Sequence, residues 1–253
     1  MRLSLQGVEV GYPAPSGAYL PALGPISFDV ADDEFVCLVG PSGCGKSTLI
    51  RVLAGLLPPT AGTAYCGDEL INRPLPQTAI MFQDTNLMPW RTVLDNIALP
   101  LEIVGATKTE RFRIVRELLP QLNLEGFEFA YPAELSGGMA QRVALGRVIL
   151  QQPRIWLLDE PFGALDALTR EKLSLELLRL RGRSQQTIVL VTHDISEAVL
   201  LADRIIVISR RPGTLAADID IDLPRPRSAD MIYQPGFLRL AKQVRACIED
   251  LRD

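Results

Sequence analysis

Short runs of almost uninterrupted apolar residues punctuate the chain and predict the strands of a central sheet. Strands without polar alternation are typical of parallel sheets that helices cover on both faces. Helical spacing at residues 46–57 and 168–181 supplies such covering helices. The predicted core strands lie at residues 35–39, 79–82, 155–158, 187–192 and 205–208. This pattern predicts an α/β fold.

The first thirty residues follow a different pattern, in which apolar and polar positions alternate. Residues 3–10 and 26–30 predict two strands of a half-exposed antiparallel sheet. The segment between them is rich in proline and glycine, and we expect a loop there. Tyr12, at the end of the first strand, is a candidate to stack on a purine ring. Packing of Tyr12 within its own loop is the alternative, and Tyr19 competes for the stacking role.

Residues 84–150 have helical patterns and no strong strand pattern. We predict a helical subdomain inserted at 84–150 into a core formed by residues 1–83 and 151–253. The apolar stripe along residues 109–122 is interpreted as core, with Thr109 as the helix N-cap. Leu-Met-Pro-Trp at residues 87–90 is either a partner-docking surface or packs within the subdomain.

A glycine-rich segment between the first core strand and its helix fits the spacing G-x-x-x-x-G-K-[ST]. Its glycines let successive backbone N–H groups surround phosphate oxygens, at a helix start that favours negative charge. Lys46 is expected to neutralise the β- and γ-phosphates, and Ser47 to ligate Mg²⁺. A plain turn needs neither side chain. The predicted nucleotide-binding residues are Gly40, Pro41, Ser42, Gly43, Cys44, Gly45, Lys46, Ser47 and Thr48.

Polar residues follow three of the other predicted core strands. Asp159 and Glu160 follow one strand, Gln83 follows another and His193, the one histidine of the chain, follows a third. Ligands of open α/β sheets bind at the carboxyl ends of the strands. Adjacent carboxylates at the end of a buried strand therefore indicate a functional site.

A second anion site is predicted at Leu-Ser-Gly-Gly-Met-Ala-Gln, residues 135–141, which opens a helix. Ser136 is placed as the N-cap, and Gly137 and Gly138 leave the helix N-terminus bare. One nucleotide needs one phosphate cradle. We therefore interpret the second cradle as serving a nucleotide that is bound by another copy of the chain.

Composition narrows the classes of partner. A chain of 253 residues with 47% hydrophobic content is long enough to bury a core. The net charge of -4 gives no basic footprint, so nucleic acid and acidic membranes are poor candidates. The four cysteines have no C-x-x-C pairing, which weighs against metal and disulfide frameworks and favours the cytoplasm. No leader-like or membrane-spanning apolar segment is visible, so we expect any link with a membrane to go through a partner.

In combination, these motifs make the chain similar to the ATP-binding subunit of an ABC transporter, over about residues 1–210. The resemblance implies a RecA-like P-loop core with an antiparallel β subdomain and an inserted helical subdomain, the ABC ATPase fold, with ATP and Mg²⁺ as cofactors. The motifs, in the family's order, are the phosphate loop 40–48, the Q-loop Gln83, the signature 135–141, the Walker B pair Asp159 and Glu160, the D-loop 164–166 and the switch His193.

The resemblance also implies a head-to-tail homodimer, with ATP held between the phosphate loop of one subunit and the signature of the other. The residues that it places on the far side of the nucleotide are Ser136, Gly137, Gly138, Gln141 and, in the D-loop, Asp166.

Catalytic roles follow from the same resemblance. Asp159 is implied to hold Mg²⁺, mostly through water, and Glu160 to act as general base on the attacking water. His193 is implied to bond the γ-phosphate beside Lys46. Gln83 is implied to touch Mg²⁺ or the water and to relay nucleotide occupancy to a membrane partner.

Phe-Gly-Ala-Leu-Asp-Ala-Leu-Thr-Arg at residues 162–170, with the 87–90 loop, is similar to the nitrate, sulfonate and taurine importer branch. This similarity implies import of a small solute through a separate transmembrane permease, with a solute-binding protein supplying the permease. It places the chain at the cytoplasmic face of the plasma membrane, attached through the permease.

Gly146 and Val148 depart from the Ala-Arg-Ala of many relatives, and Gly146 costs the helix about 1 kcal/mol relative to alanine. An efflux ABC ATPase shares every motif, and a non-transport ABC ATPase acting in DNA repair or translation is the third alternative.

Overall fold

The computed structural model describes residues 1–13, 19–163, 165–181 and 186–251, which form a four-stranded and a six-stranded sheet covered by helices. The strands are β1 (Leu3–Pro13), β2 (Tyr19–Val30), β3 (Phe35–Val39), β4 (Ala61–Cys66), β5 (Glu69–Leu70), β6 (Thr78–Met81), β7 (Ile155–Asp159), β8 (Thr187–Val191), β9 (Arg204–Ile208) and β10 (Leu215–Asp220). The helices are α1 (Lys46–Leu53), α2 (Val93–Ile97), α3 (Leu99–Ile103), α4 (Lys108–Leu118), α5 (Gly137–Gln151), α6 (Ala167–Arg181), α7 (Ile195–Leu201) and α8 (Pro235–Glu249), with 3₁₀ turns at Pro132–Glu134 and Ala229–Tyr233.

The six-stranded sheet has the order β10-β9-β3-β8-β7-β6 and contains all five predicted core strands. Those five strands are parallel, and β10 pairs antiparallel with β9 at the edge. β3, β7 and β8 are buried along their whole length, as expected of strands that are covered on both faces. The α/β prediction is confirmed. The sequence pattern did not indicate β10, because its six residues are mostly exposed and alternate weakly.

Two hydrophobic cores lie on the two faces of this sheet, because successive side chains of a strand point in opposite directions. Phe35, Cys37 and Val39 of β3 join the core beneath α2, α4, α5, α7 and α8. Val36 and Leu38 join the core that lies against α1 and the four-stranded sheet. Full burial of an aliphatic or aromatic side chain of this size contributes about 1.5–3 kcal/mol. The two cores fix β3 and hence the loop that follows it.

The four-stranded sheet is antiparallel, with the order β2-β1-β4-β5. The predicted loop between its first two strands was too long, because β2 begins at Tyr19 and includes Pro21, Gly24 and Pro25. β2 is an edge strand, where a proline without an N–H group removes no bond to a further strand. Pro15 and Gly17, which were also placed in this loop, lie outside the described residues.

Residues 84–150 contain α2 to α4, all of α5 except its last residue, and no strand. The N-cap of α4 is Thr107 and not Thr109, since the Thr107 hydroxyl accepts a bond from the N–H of Glu110 (3.3 Å) and Thr109 is already helical. Val115, Leu118, Leu119 and Leu122 of the apolar stripe are buried as predicted, and Phe112 is partly buried against the same core. The predicted boundaries of the helical subdomain, at 83/84 and 150/151, stay a prediction. A single hydrophobic cluster contains residues from both sides of each boundary. Among the described helices, none has the length and apolar character that crossing a membrane requires.

Candidate functional site

The phosphate loop connects β3 to α1 and has the backbone conformation that its glycines allow. Gly43 and Gly45 have φ values of 76° and 104°, which L side chains rarely adopt. A Cβ atom on Gly45 would also lie 2.4 Å from Cδ2 of Leu23. No side chain caps the N-terminus of α1, so its first N–H groups remain available to an anion.

Lys46, the first residue of α1, lies over this loop and is only 7% exposed. Its Nζ donates hydrogen bonds to the carbonyls of Gly40 and Pro41, both at 2.9 Å. It also lies 3.6 Å from Sγ of Cys44, whose side chain is buried beneath the loop. Cys44 therefore offers an incoming phosphate only its backbone, while the ammonium group places a positive charge at the cradle.

A cavity of about 550 Å³ opens above the loop, at the carboxyl ends of the core strands. This volume is within the usual range for small-molecule sites. Ten of the predicted site residues line the cavity, together with two residues that the sequence analysis did not single out, Ala22 and Arg211. The ten are Tyr12, Ser42, Gly43, Gly45, Lys46, Ser47, Thr48, Gln83, Glu160 and His193.

Arg211 lies in the segment after β9, at the same edge of the sheet, and its Nε donates to the carbonyl of Pro21 (2.9 Å). The rule that polar residues after core strands gather at this edge would have found it. The charge of Arg211 adds to that of Lys46 around the cavity, which favours an anionic ligand.

Tyr12 lines the cavity, whereas Tyr19 is exposed and does not. The hydroxyls of Tyr12 and Thr48 lie 3.2 Å apart and share a hydrogen bond, so the tyrosine is tied to the first turn of α1. The ring of Tyr19 instead lies over Gly11, where a Cβ atom would meet it at 2.4 Å. Of the two aromatic candidates for base stacking, the structure brings Tyr12 to the cavity.

Ser47, in the loop, is hydrogen-bonded to Asp159, the last residue of β7. The Ser47 hydroxyl donates to Oδ1 of Asp159 at 3.1 Å, and Asp159 is only 4% exposed. Burial raises the pKa of the Asp159 carboxyl, and the nearby charge of Glu160 acts in the same direction. A bound cation would reverse that effect, because an adjacent positive charge favours the carboxylate.

These two oxygen donors fit Mg²⁺, a hard cation that binds one or two protein oxygens and completes its shell with water and nucleotide phosphates. Among the described residues, no group of three or more His, Cys, Asp or Glu side chains is placed to hold a metal ion by itself. The donor set thus matches a metal that arrives with a phosphate ligand.

Glu160 is the meeting point of two other strand-end residues. Its Oε2 lies 3.3 Å from Nδ1 of His193 and 3.4 Å from Nε2 of Gln83. The Glu160 backbone has a φ of 48°, a left-handed conformation that costs a non-glycine residue about 1–3 kcal/mol. The N–H of Glu160 is held by the carbonyl of Val191 (3.0 Å). The fold therefore stabilises an unfavourable backbone in order to place this carboxylate at the cavity.

A partly buried network of hydrogen bonds and an ion pair lies behind His193 and was not predicted. The Thr192 hydroxyl donates to the carboxyl of Glu197, and burial, opposed by that bond and assisted by Asp194, raises the pKa of Glu197 to about 7. Asp194 caps α7 and forms an ion pair with Arg170 (2.8 Å). Arg170 also donates to the carbonyl of Leu165 (3.1 Å). The network therefore joins the segment that carries His193 to the D-loop.

Asp166 does not line the cavity. Its carboxylate accepts a bond from the N–H of Thr169 (3.0 Å) in the first turn of α6, and hydrogen bonding to Thr169 lowers its pKa. Ala164, the first residue of the predicted D-loop, lies outside the described residues.

The signature residues do not line the cavity either. Ser136 caps α5 and accepts a bond from the N–H of Met139 (3.3 Å), as predicted. A Cβ atom on Gly138 would lie 2.6 Å from Cδ2 of Leu165, so the helix start packs closely on the D-loop of its own chain. Gln141 is buried in α5. Its predicted nucleotide contact stays a prediction, and burial does not support it.

Comparison with known proteins agrees with this geometry. A family model described as ABC transporter matches residues 23–163. The chain is 43% identical over 235 residues to an uncharacterised ABC transporter ATP-binding protein, MJ0412, of Methanocaldococcus jannaschii, and the match covers 93% of this chain and 87% of that protein.

Two relatives from Synechococcus elongatus carry transport names. The bicarbonate transport ATP-binding protein CmpC is 40% identical and the nitrate import ATP-binding protein NrtC is 39% identical, each over 246 residues. Each match covers 96% of this chain and 37% of the relative, so this chain spans little more than a third of their length.

The solved structures include the ATP-binding cassette MJ0796, in a dimeric post-hydrolysis state bound to ADP and Pi. The TM-score is 0.80 at 32% sequence identity, and the match covers 88% of this chain and 100% of that one. The ABC ATPase fold predicted from the motifs is confirmed. The family match, the identity to MJ0412 over most of both chains and this structural agreement lead to one conclusion. The chain belongs to the ABC transporter family and is an ATP-binding cassette with ATPase activity.

Proposed function

We propose that this ATPase works as a head-to-tail homodimer that powers import of a small oxyanion through a separate permease. The observation that carries the dimer is the separation of the two anion sites within one chain. The cavity is lined by loop residues 42, 43 and 45–48, but not by Ser136, Gly137 or Gly138. The likeness to a cassette solved as a dimer supports the same arrangement.

In this proposal the nucleotide is held first by one subunit. The loop N–H groups and Lys46 hold the β- and γ-phosphates, and Tyr12 stacks on the base. When a phosphate binds, Lys46 exchanges its hydrogen bonds to the loop carbonyls for hydrogen bonds to phosphate oxygens. This exchange needs no movement of α1. Ser47 and Asp159 hold Mg²⁺, which when bound neutralises charge on the phosphates.

Hydrolysis depends on the residues that meet at Glu160. Its carboxylate accepts a proton from the attacking water as general base, and Gln83 and His193 hold the carboxylate in position. His193 also contacts the γ-phosphate, and Gln83 senses whether Mg²⁺ and water are in place. Asp166 and the start of the signature helix, residues 136–138, complete the site from the partner subunit.

Ser136→Arg tests the shared site. The substitution puts a long cation at the bare helix start, and we expect it to abolish ATP-dependent dimer formation while ATP affinity of the monomer changes less than about twofold. Size-exclusion chromatography with ATP measures the dimer, and a fluorescent nucleotide measures affinity.

Thr107→Arg is the matched control, because Thr107 is also an exposed N-cap that accepts a 3.3 Å bond from the third residue on. Loss of either cap costs the helix a similar amount, about 1 kcal/mol. Dimer formation should survive in the control. A Ser136→Arg protein that still dimerises with ATP would contradict the shared site.

Import of a small oxyanion rests on two observations. The sequence resembles the nitrate, sulfonate and taurine branch, and relatives at about 40% identity are named for bicarbonate transport and nitrate import. For sulfonate or taurine the support is the resemblance alone.

We place the chain at the cytoplasmic face of the membrane, attached through the permease, with a solute-binding protein acting indirectly. The net charge of -4 agrees with a role without nucleic acid.

The docking surface for the permease is proposed around residues 87–90. Leu87 packs against the hydrophobic core, whereas Trp90 is 73% exposed in the same loop. The two interpretations of this loop therefore apply to different residues. An exposed tryptophan beside a packed anchor is typical of an interface residue.

We expect the tagged chain to recover a transmembrane permease from a detergent extract of its own organism, and Trp90→Ser to reduce that recovery at least about fivefold. Tyr233→Ser, at an equally exposed aromatic residue, is the control and should retain it. Quantitative mass spectrometry measures both. Recovery of a DNA-repair or translation complex would contradict the transport function, and movement of solute away from the cassette side in proteoliposomes would identify an exporter.

A further inference from the structure

A second cavity, of about 780 Å³, lies between α6 and the segment 225–228. The cavity lies near the amino end of β3. Asp203 shows this, because it pairs with two arginines of the lining and accepts a hydrogen bond from the N–H of Phe35 (2.9 Å), the first residue of β3. The nucleotide cavity lies at the opposite, carboxyl edge of the sheet. Nothing in the proposed ATPase mechanism uses this second cavity.

Four of the described residues that line it are arginines: Arg179, Arg181, Arg225 and Arg227. Asp33 is the one acidic residue among the described lining residues. Arginine is the side chain best suited to bind carboxylates and phosphates, because its planar fork donates two parallel hydrogen bonds. The lining therefore has the chemistry of an anion site.

Arg227 is the most deeply placed of the four and is only 8% exposed. Its Nη1 donates to the carbonyls of Ala202 (2.6 Å) and Leu200 (3.0 Å) at the end of α7, and its Nε has no partner among the described residues. Burial, together with the charge of Arg225, lowers the pKa of Arg227 to about 10. A buried guanidinium bonded to neutral carbonyls leaves its charge unbalanced.

The nearby carboxylate of Asp203 does not supply that balance, because Arg181 and Arg225 already share it. Arg181 pairs with Oδ2 of Asp203 at 2.7 Å, and Arg225 pairs with Oδ1 of the same residue. With Arg227, three guanidinium groups therefore lie near two acids, Asp203 and Asp33 of the lining. An anionic ligand would offset the excess, since unlike charges attract strongly at partly buried positions.

The rest of the lining sets the size and character of the ligand. Leu175, Leu178 and Pro226 add apolar surface beside the arginines. A volume near 780 Å³ is typical of a site for a small organic molecule and is larger than a single inorganic ion requires. A compact, mainly apolar molecule with acidic groups on one side would contact both the apolar residues and the arginines of the lining.

We propose that this cavity binds a small organic anion carrying two carboxylate groups on an apolar body, at a site separate from the nucleotide. Arg179 and Arg225, at its exposed side, bind the carboxylates, and the leucines contact the body. Arg227 supplies the buried positive charge beneath them. Binding at this cavity does not depend on which solute the transporter moves.

The test is isothermal titration of the ADP-saturated protein with phthalate, an aromatic dicarboxylate. Saturation with ADP keeps the probe from the phosphate loop. We expect a dissociation constant below about 1 mM, and weakening of at least about fivefold in Arg179→Gln and in Arg225→Gln, since each loses a charge-assisted pair. Benzamide, which has no acidic group, should not bind.

Arg113→Gln is the matched control, because Arg113 is also an exposed helical arginine with a neighbouring glutamate partner and lies on α4. It should bind phthalate like the parent. Arg179 is 71% exposed, so its substitution leaves the fold intact, and Arg181 still pairs with Asp203 when Arg225 is replaced. Absence of saturable binding, or equal binding by all three variants, would show that the arginines serve only to anchor the 225–228 segment.

Discussion

Replacement of Glu160 by glutamine is expected to leave ATP binding intact and to lower the steady-state ATPase rate at least about a hundredfold, because general-base catalysis contributes factors of this order. The amide keeps the shape of the side chain and its contacts with His193 and Gln83, but it cannot accept the proton of the attacking water. The closed dimer should therefore accumulate with ATP. Phosphate release and size-exclusion chromatography measure the two effects.

Glu34→Gln is the control for loss of a half-buried carboxylate. The Glu34 side chain is 14% exposed, against 22% for Glu160, and it pairs with Arg204 away from the nucleotide cavity. This control should keep the parent's rate. An unchanged ATPase rate in Glu160→Gln would show that Glu160 is not the general base, and that another group at the cavity accepts the proton.

Lys46→Ala is expected to weaken ATP binding about a hundredfold. Two charge-assisted hydrogen bonds to phosphate are lost, each worth about 1.5–3 kcal/mol, and the remaining loop N–H groups recover part of that energy. The carbonyls of Gly40 and Pro41 also lose their donor, so the loop itself is less well held. Equilibrium titration with a fluorescent ATP analogue measures the affinity.

Arg51→Ala provides the comparison, since Arg51 is a cation of the same helix, is exposed and does not line the cavity. Its ATP affinity should stay within about threefold of the parent, as a solvent-screened charge contributes little. If Lys46→Ala bound ATP as tightly as the parent, the interpretation of residues 40–48 as the phosphate site would be wrong.

The sequence pattern was most successful where structure is determined locally. The five core strands, the loop at residues 40–48 and the N-cap Ser136 all depend on side chains within a few residues of one another. Membership of the ABC transporter family and ATPase activity followed from the order of the motifs, and both are confirmed. The roles of individual site residues stay predictions, and the variants above test them.

Errors arose where tertiary contacts override local preference. Prolines at positions 21 and 25 argued for a loop, but pairing with β1 holds them in an edge strand. The exposed residues of β10 have little strand character alone, and β9 supplies the partner that orders them. Thr107 and Thr109 are equivalent as capping residues by composition, and the position where the chain turns into α4 distinguishes them.

Taken alone, the sequence established which chemical groups stand at the end of each core strand, because the apolar runs and the residues that follow them are adjacent in the chain. The order of the strands decided which of those groups meet. Pairing of β6 with β7 and of β7 with β8 brings Gln83 and His193 to the same carboxylate oxygen of Glu160. The arginine cavity depends likewise on packing of α6 against the 225–228 segment. Periodicity reports the environment of one segment, and only the tertiary structure specifies its neighbours.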